Sequence, residues 1–265
     1  LSHWGLLISL AANLLMMPSP KSPNEILFPF NPAAWSIYFE MAVNAIYVLA
    51  FRYINGAILK ATILCSVFAL AWTALAFNTL DVGMAQDNFI FGFPRVLFSF
   101  FLGIALYRRR RDFGRWAASG ALPTLVGLAA VAVFISIPKI SLSSLNGLLD
   151  LFVIVAVFPL LLCLAAVANF SLRLNSVAWF LGGISYSVYL LQTPLMVGYS
   201  ALPQLLLGQK VASLAPWAGG LFLLVLSVIC YACWRYFEIP AQRRLVRILL
   251  KDQFGSQTVL PSEGS

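Results

Sequence analysis

Long apolar runs separated by short polar loops make up most of this chain. A window of about 20 apolar residues, the length of helix that crosses a bilayer, gives eight candidate spans. The spans are Trp4 to Met17, Ala34 to Phe51, Ile58 to Phe77, Pro94 to Tyr107, Ala121 to Ile137, Leu148 to Ala168, Trp179 to Tyr199 and Trp217 to Phe237. Because the runs are continuous rather than alternating, they favour helices over a β-barrel. We therefore predict an all-α fold, a polytopic transmembrane helical bundle.

Composition agrees with a membrane protein and sets the C-terminal end of the chain apart. Apolar residues make up 61% of the sequence and charged residues 10%. In a typical soluble domain about half of the residues are apolar and about a quarter are charged. We predict one transmembrane helical domain over residues 1–251 and a disordered cytoplasmic tail over 252–265. The sequence begins at Leu1, which lies within an apolar run and is not a methionine. We therefore expect the domain to be incomplete at its N-terminus.

The basic residues fall mainly in alternate loops, which predicts the orientation. A net charge of +8 would suggest nucleic acid for a soluble protein, but here topology explains it and we expect no nucleic-acid partner. The richer set has 13 of the 17 basic residues: Arg52, Lys60, Arg108, Arg109, Arg110, Arg111, Arg115, Arg173, Arg235, Arg243, Arg244, Arg247 and Lys251. The other 4 are Lys21, Arg95, Lys139 and Lys210. By the positive-inside rule, the richer loops and both chain ends face the cytoplasm.

The cysteines and three of the aspartates give no sign of chemistry. The four cysteines, Cys65, Cys163, Cys230 and Cys233, lie inside apolar runs. We expect them to be packing residues rather than disulfides or metal ligands. Asp81, Asp87 and Asp150 lie in or beside the outer loops, and we expect them to be solvated.

A polar stripe with a carboxylate marks the second span. Ser36, Glu40, Asn44 and Tyr47 are spaced i, i+4, i+8 and i+11, so they share one face of a helix. An ionisable group inside the membrane is costly unless it faces a bundle interior, a partner or a water-filled cavity. The stripe therefore predicts a functional cavity. The alternative is a protonated Glu40 that only hydrogen-bonds a neighbouring helix.

The carboxylate of this stripe belongs to the outer half of the membrane. Trp35 lies near the outer interface in the predicted orientation, and Glu40 is five residues further in, roughly 7–8 Å at the helical rise. A cavity at that depth can be reached from the non-cytoplasmic side.

A second polar stripe lies in the seventh span. Ser185, Tyr189 and Gln192 share a face at i, i+4 and i+7, and Tyr186 lies beside them. We expect the neighbouring pair Gly182 and Gly183 to permit close approach of another helix, and Pro194 to kink this one. The stripe either lines the same cavity or forms an interhelical hydrogen-bond seam with an aromatic belt.

Four segments along the chain, in order, match short sequence motifs. Trp35-Ser36-x-x-x-Glu40, preceded by Asn31-Pro32, fits W-S-x-x-x-E. The segment from Arg95 to Tyr107 fits R-x-x-F-x-F-x-x-G, and Ile184 to Pro194 is similar to I-S-Y-S-x-Y-L-x-H-x-P. Glu238-Ile239-Pro240 followed by Arg243 fits E-x-P-x-x-R. In this order the four segments resemble the motifs of the membrane-bound acyltransferase family 3, the polysaccharide and lipopolysaccharide O-acyltransferases.

The resemblance implies an enzyme with about ten spans in a bacterial inner membrane. It implies acyl-CoA as the cytoplasmic donor, no metal, and transfer of an acyl group, often acetyl, to a carbohydrate hydroxyl. It also implies an N-terminal arginine and histidine motif with a catalytic histidine. His3 does not match that motif, and Gln192 stands where the family often has histidine; we expect the motif upstream of Leu1.

The site residues follow from the stripes and the resemblance together. Glu40 is the predicted catalytic residue, which takes the hydroxyl proton or orients the histidine or the acceptor. The predicted substrate-binding residues are Asn31, Trp35, Ser36, Asn44, Arg95, Ser185, Tyr186, Tyr189 and Gln192. Arg108, Arg109, Arg110 and Arg111 either bind the phosphates of CoA or anchor the topology near anionic membrane lipid. A rival interpretation is a transporter with Glu40 as its proton or substrate site.

Overall fold

The computed structural model describes residues 3–19, 26–109, 127–128, 132, 145–167, 172–208 and 211–250. The helices in these ranges are α1 (His3–Leu14), α2 (Ala34–Ala50), α3 (Gly56–Phe77), α4 (Gly92–Arg108), α5 (Asn146–Phe152), α6 (Phe158–Val167), α7 (Leu172–Leu207), α8 (Trp217–Cys233) and α9 (Ile239–Leu250). Short 3₁₀ turns lie at Phe89–Phe91 and Val211–Leu214. Apart from an isolated bridge between Ile26 and Ala85, all regular structure in the described residues is helical, which confirms the all-α prediction.

Five helical segments are long and apolar enough to cross a membrane. They are Gly56–Phe77, Phe89–Arg108, Asn146–Cys163, Ser176–Leu205 and Trp217–Ile248. Helices α1 and α2 are apolar but shorter, with 12 and 17 residues. Most of the predicted span from Ala121 to Ile137, and the tail at 252–265, lie outside the described residues. The total of about eight spans therefore stays a prediction.

Two wide helical turns each come directly before an X-Pro pair. The π-helical segment Val153–Val157 joins α5 to α6 and precedes Pro159, and Trp234–Glu238 joins α8 to α9 and precedes Pro240. Proline has no N–H to donate, so the regular ladder is interrupted there. The N–H of the residue before each proline donates five residues back instead, from Phe158 to Val153 in the first case. These wide turns keep the helices continuous through the prolines.

The chain divides into two compact units, Leu1–Asn175 and Ser176–Ser265, and each is described here by itself. In the first unit, α2 and α4 run in the same direction. Trp35 lies beside Arg95, Phe39 contacts Phe93, and Tyr47 contacts Phe100. The two contacts near the helix starts, Trp35 with Arg95 and Phe39 with Phe93, thus come before the contact of Tyr47 with Phe100 on both helices. Their shared face is closed by a core of Val43, Ile54, Leu59 and Phe101.

Helix α3 runs back between the two ends, and its termini follow from local chemistry. The Asn55 side chain caps the first turn by accepting from the N–H groups of Ala57 and Ile58, at 3.0 and 2.9 Å. Asn78 ends the helix in the left-handed conformation, with φ of 53°, which asparagine tolerates better than most residues.

This arrangement separates the charges of the first unit by helix end. Arg52, Lys60, Arg108 and Arg109 lie at the end where α2 and α4 finish and α3 begins. The opposite end has Arg95 with Asp81, Asp87 and Asp150. The asymmetry seen along the sequence is thus an asymmetry between the two ends of the helices.

In the second unit, α7 and α8 are antiparallel. Tyr199 donates its hydroxyl hydrogen to the Ala218 carbonyl at 2.8 Å near the start of α8, while Gly183 lies against Trp234 just past its end. The core between them contains Ile184, Leu226, Cys230 and Trp234. Cys230 is fully buried there, as expected of a packing residue, whereas Cys65 in the first unit is exposed.

Candidate functional site

A cation–aromatic pair lies at the end of the first unit where α2 and α4 begin. The Arg95 guanidinium lies over the Trp35 ring, 5.4 Å from its centroid. Its Nη1 also donates to the Leu80 carbonyl at 3.3 Å. An arginine over tryptophan gains electrostatic attraction from the ring face. The structure therefore brings together two predicted substrate-binding residues that are 60 positions apart in the sequence.

Aromatic packing holds Trp35 in place. Its ring meets Phe39 edge-on at 6.0 Å, and Phe39 meets Phe93 in the same way at 4.9 Å. Phe39 is 2% exposed. The close approach depends on Gly92, because a Cβ at that position would overlap the Phe39 ring. Packing between α2 and α4 therefore holds the Trp35 ring through Phe39, its buried neighbour one turn along α2.

Asp150 completes this end of the unit: it is partly buried with one carboxylate oxygen hydrogen-bonded, so it is only partly solvated. Its Oδ2 accepts from the Leu80 N–H at 3.0 Å and from the Thr79 hydroxyl at 3.1 Å. The backbone of Leu80 thus donates to Asp150 through its N–H and accepts from Arg95 through its carbonyl. No local pattern could reveal this role, because Asp150 lies about 70 positions from its partners in the sequence.

The charge of Arg95 is left without a counter-ion in the described part of the chain. Arg95 is partly buried, and its described contacts are the Leu80 carbonyl and the Trp35 ring. A guanidinium carries five N–H donors in a fixed fork. The uncommitted donors are therefore suited to a carboxylate, a phosphate or sugar hydroxyls.

The predicted polar stripe of α2 exists and borders the face that packs on α4. Ser36 and Tyr47 are partly buried, while Glu40 and Asn44 are exposed. Asn44 donates to the Glu40 backbone carbonyl at 2.8 Å, and Ser36 donates to the Ala33 carbonyl at 3.4 Å. These bonds serve the helix backbone and leave the Glu40 carboxylate without a hydrogen-bond or ion-pair partner among the described residues.

Glu40 does not join the Trp35–Arg95 pair. Five residues along a helix correspond to about 140° around its axis, so Trp35 and Glu40 point to different sides of α2. Asn31 has a local function at the entry of the helix: its side-chain oxygen accepts from the Ala33 N–H at 3.2 Å. Substrate contacts by Asn31, Ser36 and Asn44 stay predictions.

In the second unit, the Ile184 to Pro194 segment of α7 has one side that is buried and one side that is exposed. Ile184 and Ser187 are buried. The predicted stripe residues Ser185, Tyr186, Tyr189 and Gln192 are all exposed. Ser185 donates to the Gly182 carbonyl of its own helix at 2.8 Å. The stripe thus exists as a surface, and its binding role stays a prediction.

The buried side of this segment is hydrogen-bonded to the E-x-P-x-x-R segment that begins at Glu238. The Ser187 hydroxyl donates to Oε2 of Glu238 at 3.3 Å, and the Gln242 amide donates to Oε1 at 3.2 Å. Gly183 lies against the Trp234 ring, and a Cβ there would come within 2.6 Å of it, whereas the space at Gly182 is open. The close-approach prediction is thus confirmed for Gly183 only. Sequence reasoning did not single out Ser187.

Arg108 and Arg109 lie at the far end of α4 from Arg95. The thirteen positions from Arg95 to Arg108 correspond to roughly 20 Å of helix. Both side chains are exposed at the helix C-terminus, where cations are favoured. Arg110 and Arg111 lie outside the described residues. Among the residues that the structure describes, no group of His, Cys, Asp or Glu side chains is placed to hold a metal ion.

Residues 2–235 match the family model of the acyltransferase 3 family, an acyltransferase domain. The match takes in the Trp35–Arg95 pair, Glu40 and the whole of α7, and ends just before Glu238. Neither the curated proteins nor the solved structures gave a match to this chain.

Proposed function

Because this chain belongs to the membrane-bound acyltransferase family 3, we propose that it is an integral-membrane O-acyltransferase that acts on carbohydrate. The donor is acyl-CoA, with acetyl-CoA as the simplest case. The acceptor is a hydroxyl of an exopolysaccharide or lipopolysaccharide precursor. The enzyme lies in a bacterial inner membrane with about eight spans in this chain and a cytoplasmic C-terminus.

The observation that supports this proposal most is the state of Glu40. The carboxylate is exposed on an apolar helix and has no partner among the described residues. Placing an ionisable carboxylate against lipid hydrocarbon has a high free-energy cost. A carboxylate held in this way needs water, a further protein group or a substrate beside it, which agrees with a reaction cavity.

The reaction requires few groups from the protein. The acceptor oxygen attacks the thioester carbon, the C–S bond breaks, and CoA leaves as a thiolate that gains a proton. Glu40 takes the hydroxyl proton directly or orients the base that does so. The tetrahedral oxyanion needs hydrogen-bond donors. Asn44 lies one turn from Glu40 and has a second amide N–H besides the one that donates to the Glu40 carbonyl. Ser36, one turn away on the other side, is proposed as a substrate contact.

The acceptor approaches from the end of the helices that holds Trp35 and Arg95. A tryptophan ring offers a flat apolar face for a sugar, and the uncommitted guanidinium donors of Arg95 suit its hydroxyls or acidic groups. Asn31 orders the loop that leads into this end. Ser185, Tyr186, Tyr189 and Gln192 are proposed as further substrate contacts on the exposed side of α7.

The donor approaches from the opposite helix end. CoA carries several phosphate charges, and Arg108 and Arg109 present exposed guanidinium groups there. Electrostatic attraction of this kind raises local substrate concentration and weakens with salt. Replacing the four arginines from Arg108 to Arg111 by glutamine should raise the KM for acetyl-CoA and leave the acceptor KM unchanged. An unchanged KM for acetyl-CoA would remove this part of the proposal.

The test of the proposed function is release of CoA thiol that depends on an added glycan. The full-length protein, in membranes supplied with acetyl-CoA on the cytoplasmic side, should release CoA only when acceptor glycan is present, and labelled acetyl should appear on the glycan. Glycan movement across the membrane without CoA release would instead support the transporter. If neither CoA release nor glycan movement is seen with a broad set of glycans, that result would contradict a carbohydrate acceptor.

A further inference from the structure

The last helix of the second unit has two chemically different sides. Helix α9 places Arg243, Arg244 and Arg247 on one side, at spacings of three and four residues. Leu245 and Ile248 lie on another side and are 60% and 71% exposed. A soluble helix buries such an apolar side against its own protein, and a helix inside the hydrocarbon does not carry three arginines. The pattern is typical of a helix at the boundary between membrane and water.

The position of α9 agrees with this boundary. The helix runs without interruption from Trp217 through the π-helical segment to Leu250, 34 residues or about 51 Å. To fit inside a hydrocarbon layer of about 30 Å it would have to tilt by about 54°, more than the upper value of about 40° found for transmembrane helices. The predicted span ends at Phe237, two residues before α9 begins.

We propose that α9 lies at the membrane surface and binds anionic lipid headgroups through Arg243, Arg244 and Arg247, with Leu245 and Ile248 in the interfacial layer. The two sides then meet the two parts of one partner. Apolar side chains enter the acyl boundary, and guanidinium groups pair with phosphate oxygens of the lipid. This inference is independent of the acyl-transfer reaction, because it concerns a surface that the proposed mechanism does not use.

Amide hydrogen exchange tests the proposal on the full-length protein in nanodiscs. Backbone amides of 239–250 should exchange more slowly in nanodiscs that contain phosphatidylglycerol than in phosphatidylcholine alone, and added salt should reduce the difference. Each arginine changed to glutamine should lower the lipid-dependent protection roughly five-fold. The Arg52→Gln variant, which removes an exposed arginine elsewhere, is the matched control and should leave it unchanged.

The apolar side has its own variant. Leu245→Ser combined with Ile248→Ser should raise exchange in both lipids, because the helix loses its interfacial contact. Slow exchange that is equal in both lipids and insensitive to the arginine variants would overturn the proposal. Protection that follows the number of protein copies per nanodisc, rather than the phosphatidylglycerol content, would also overturn it and assign the surface to a second copy of this chain.

Discussion

The W-S-x-x-x-E segment of the first unit and the I-S-Y-S segment of the second use the same local pattern with different results. Both place some residues inward against a neighbouring helix and others outward. In the first unit Trp35 of the segment, together with the Leu80 carbonyl from elsewhere in the unit, holds Arg95 at one helix end. In the second the inward residues form a seam in which Ser187 donates to Glu238.

The difference separates residues that build the units from residues that are available for chemistry. Glu40 stands outward with a carboxylate that has no described partner, whereas Glu238 has both oxygens engaged. A carboxylate whose lone pairs are already used is a poor base, and an uncommitted one can accept a substrate proton. We therefore expect a change at Glu40 to affect turnover and a change at Glu238 or its hydrogen-bond partners to affect stability.

The largest effect should come from Glu40→Gln. Removal of the carboxylate while keeping its size should lower the rate of glycan acetylation roughly 10²- to 10⁴-fold, the usual contribution of acid–base catalysis. The measurement is kcat from CoA release with the full-length protein. Asp87→Asn makes the same change in an exposed loop and should keep the normal rate. Normal turnover in Glu40→Gln would remove the distinction between the two units.

Two glycine variants should then separate turnover from stability. Gly92→Ala and Gly183→Ala each force a methyl group against an aromatic ring, Phe39 and Trp234 respectively, and each should lower the free energy of unfolding by about 1–3 kcal/mol. Because Phe39 positions Trp35, only Gly92→Ala should also raise the acceptor KM.

The matched controls lie on the same helices. Gly103→Ala in α4 and Gly182→Ala in α7 place the methyl group in open space, so thermal unfolding in detergent should show no loss. A destabilised Gly182→Ala with an unaffected Gly183→Ala would contradict the described packing.

The cation–aromatic pair should have a smaller effect on acceptor binding. Arg95→Lys keeps the charge but loses the fork that spans Trp35 and Leu80, and Trp35→Leu removes the ring. Each should raise the acceptor KM roughly 2- to 30-fold, in line with about 0.5–2 kcal/mol for such a contact, with little change in kcat. Arg52→Lys removes the comparable contact over Phe51, 5.8 Å from its centroid, and should not alter the acceptor KM.

The smallest effect concerns the seam of the second unit. Ser187→Ala removes the donor to Glu238 and should lower the free energy of unfolding by about 1 kcal/mol. Ser185→Ala removes only a bond to its own helix and should change stability by less. An activity loss in Ser187→Ala that exceeds its stability loss would move the second unit into the catalytic group.

The helices and the two polar stripes could be predicted from the sequence, because hydropathy and helical spacing are local properties. Helix α2 matches its predicted span to within one residue at the C-terminal end. The stripe residues share a side as their spacing requires. What could not be predicted is which members turn inward. Ser185 and Ser187 are two positions apart and point to different sides of α7, and the hydrogen bond from Ser187 to Glu238 shows which of the two sides is buried.

Polar contacts between residues far apart in the sequence could not be predicted either. The sequence predicts a solvated loop aspartate at position 150, because no neighbour in the sequence is an obvious hydrogen-bond donor to it. In the structure its carboxylate accepts from Thr79 and Leu80, about 70 positions away. The family resemblance, by contrast, depends on ordered motifs along the whole chain, and the match over residues 2–235 confirms it.

Chemical labelling at position 40 tests the central claim, that the Glu40 carboxylate faces a water-filled cavity open to the acceptor side. The four native cysteines are replaced by alanine, and Glu40→Cys is compared with Met41→Cys, its neighbour at the same depth, which is 50% exposed on a different side of α2. The account predicts that a membrane-impermeant maleimide added outside reacts with the Glu40→Cys variant much faster, and that acceptor glycan slows this reaction. Equal and slow labelling of both variants, with no effect of glycan, would contradict it.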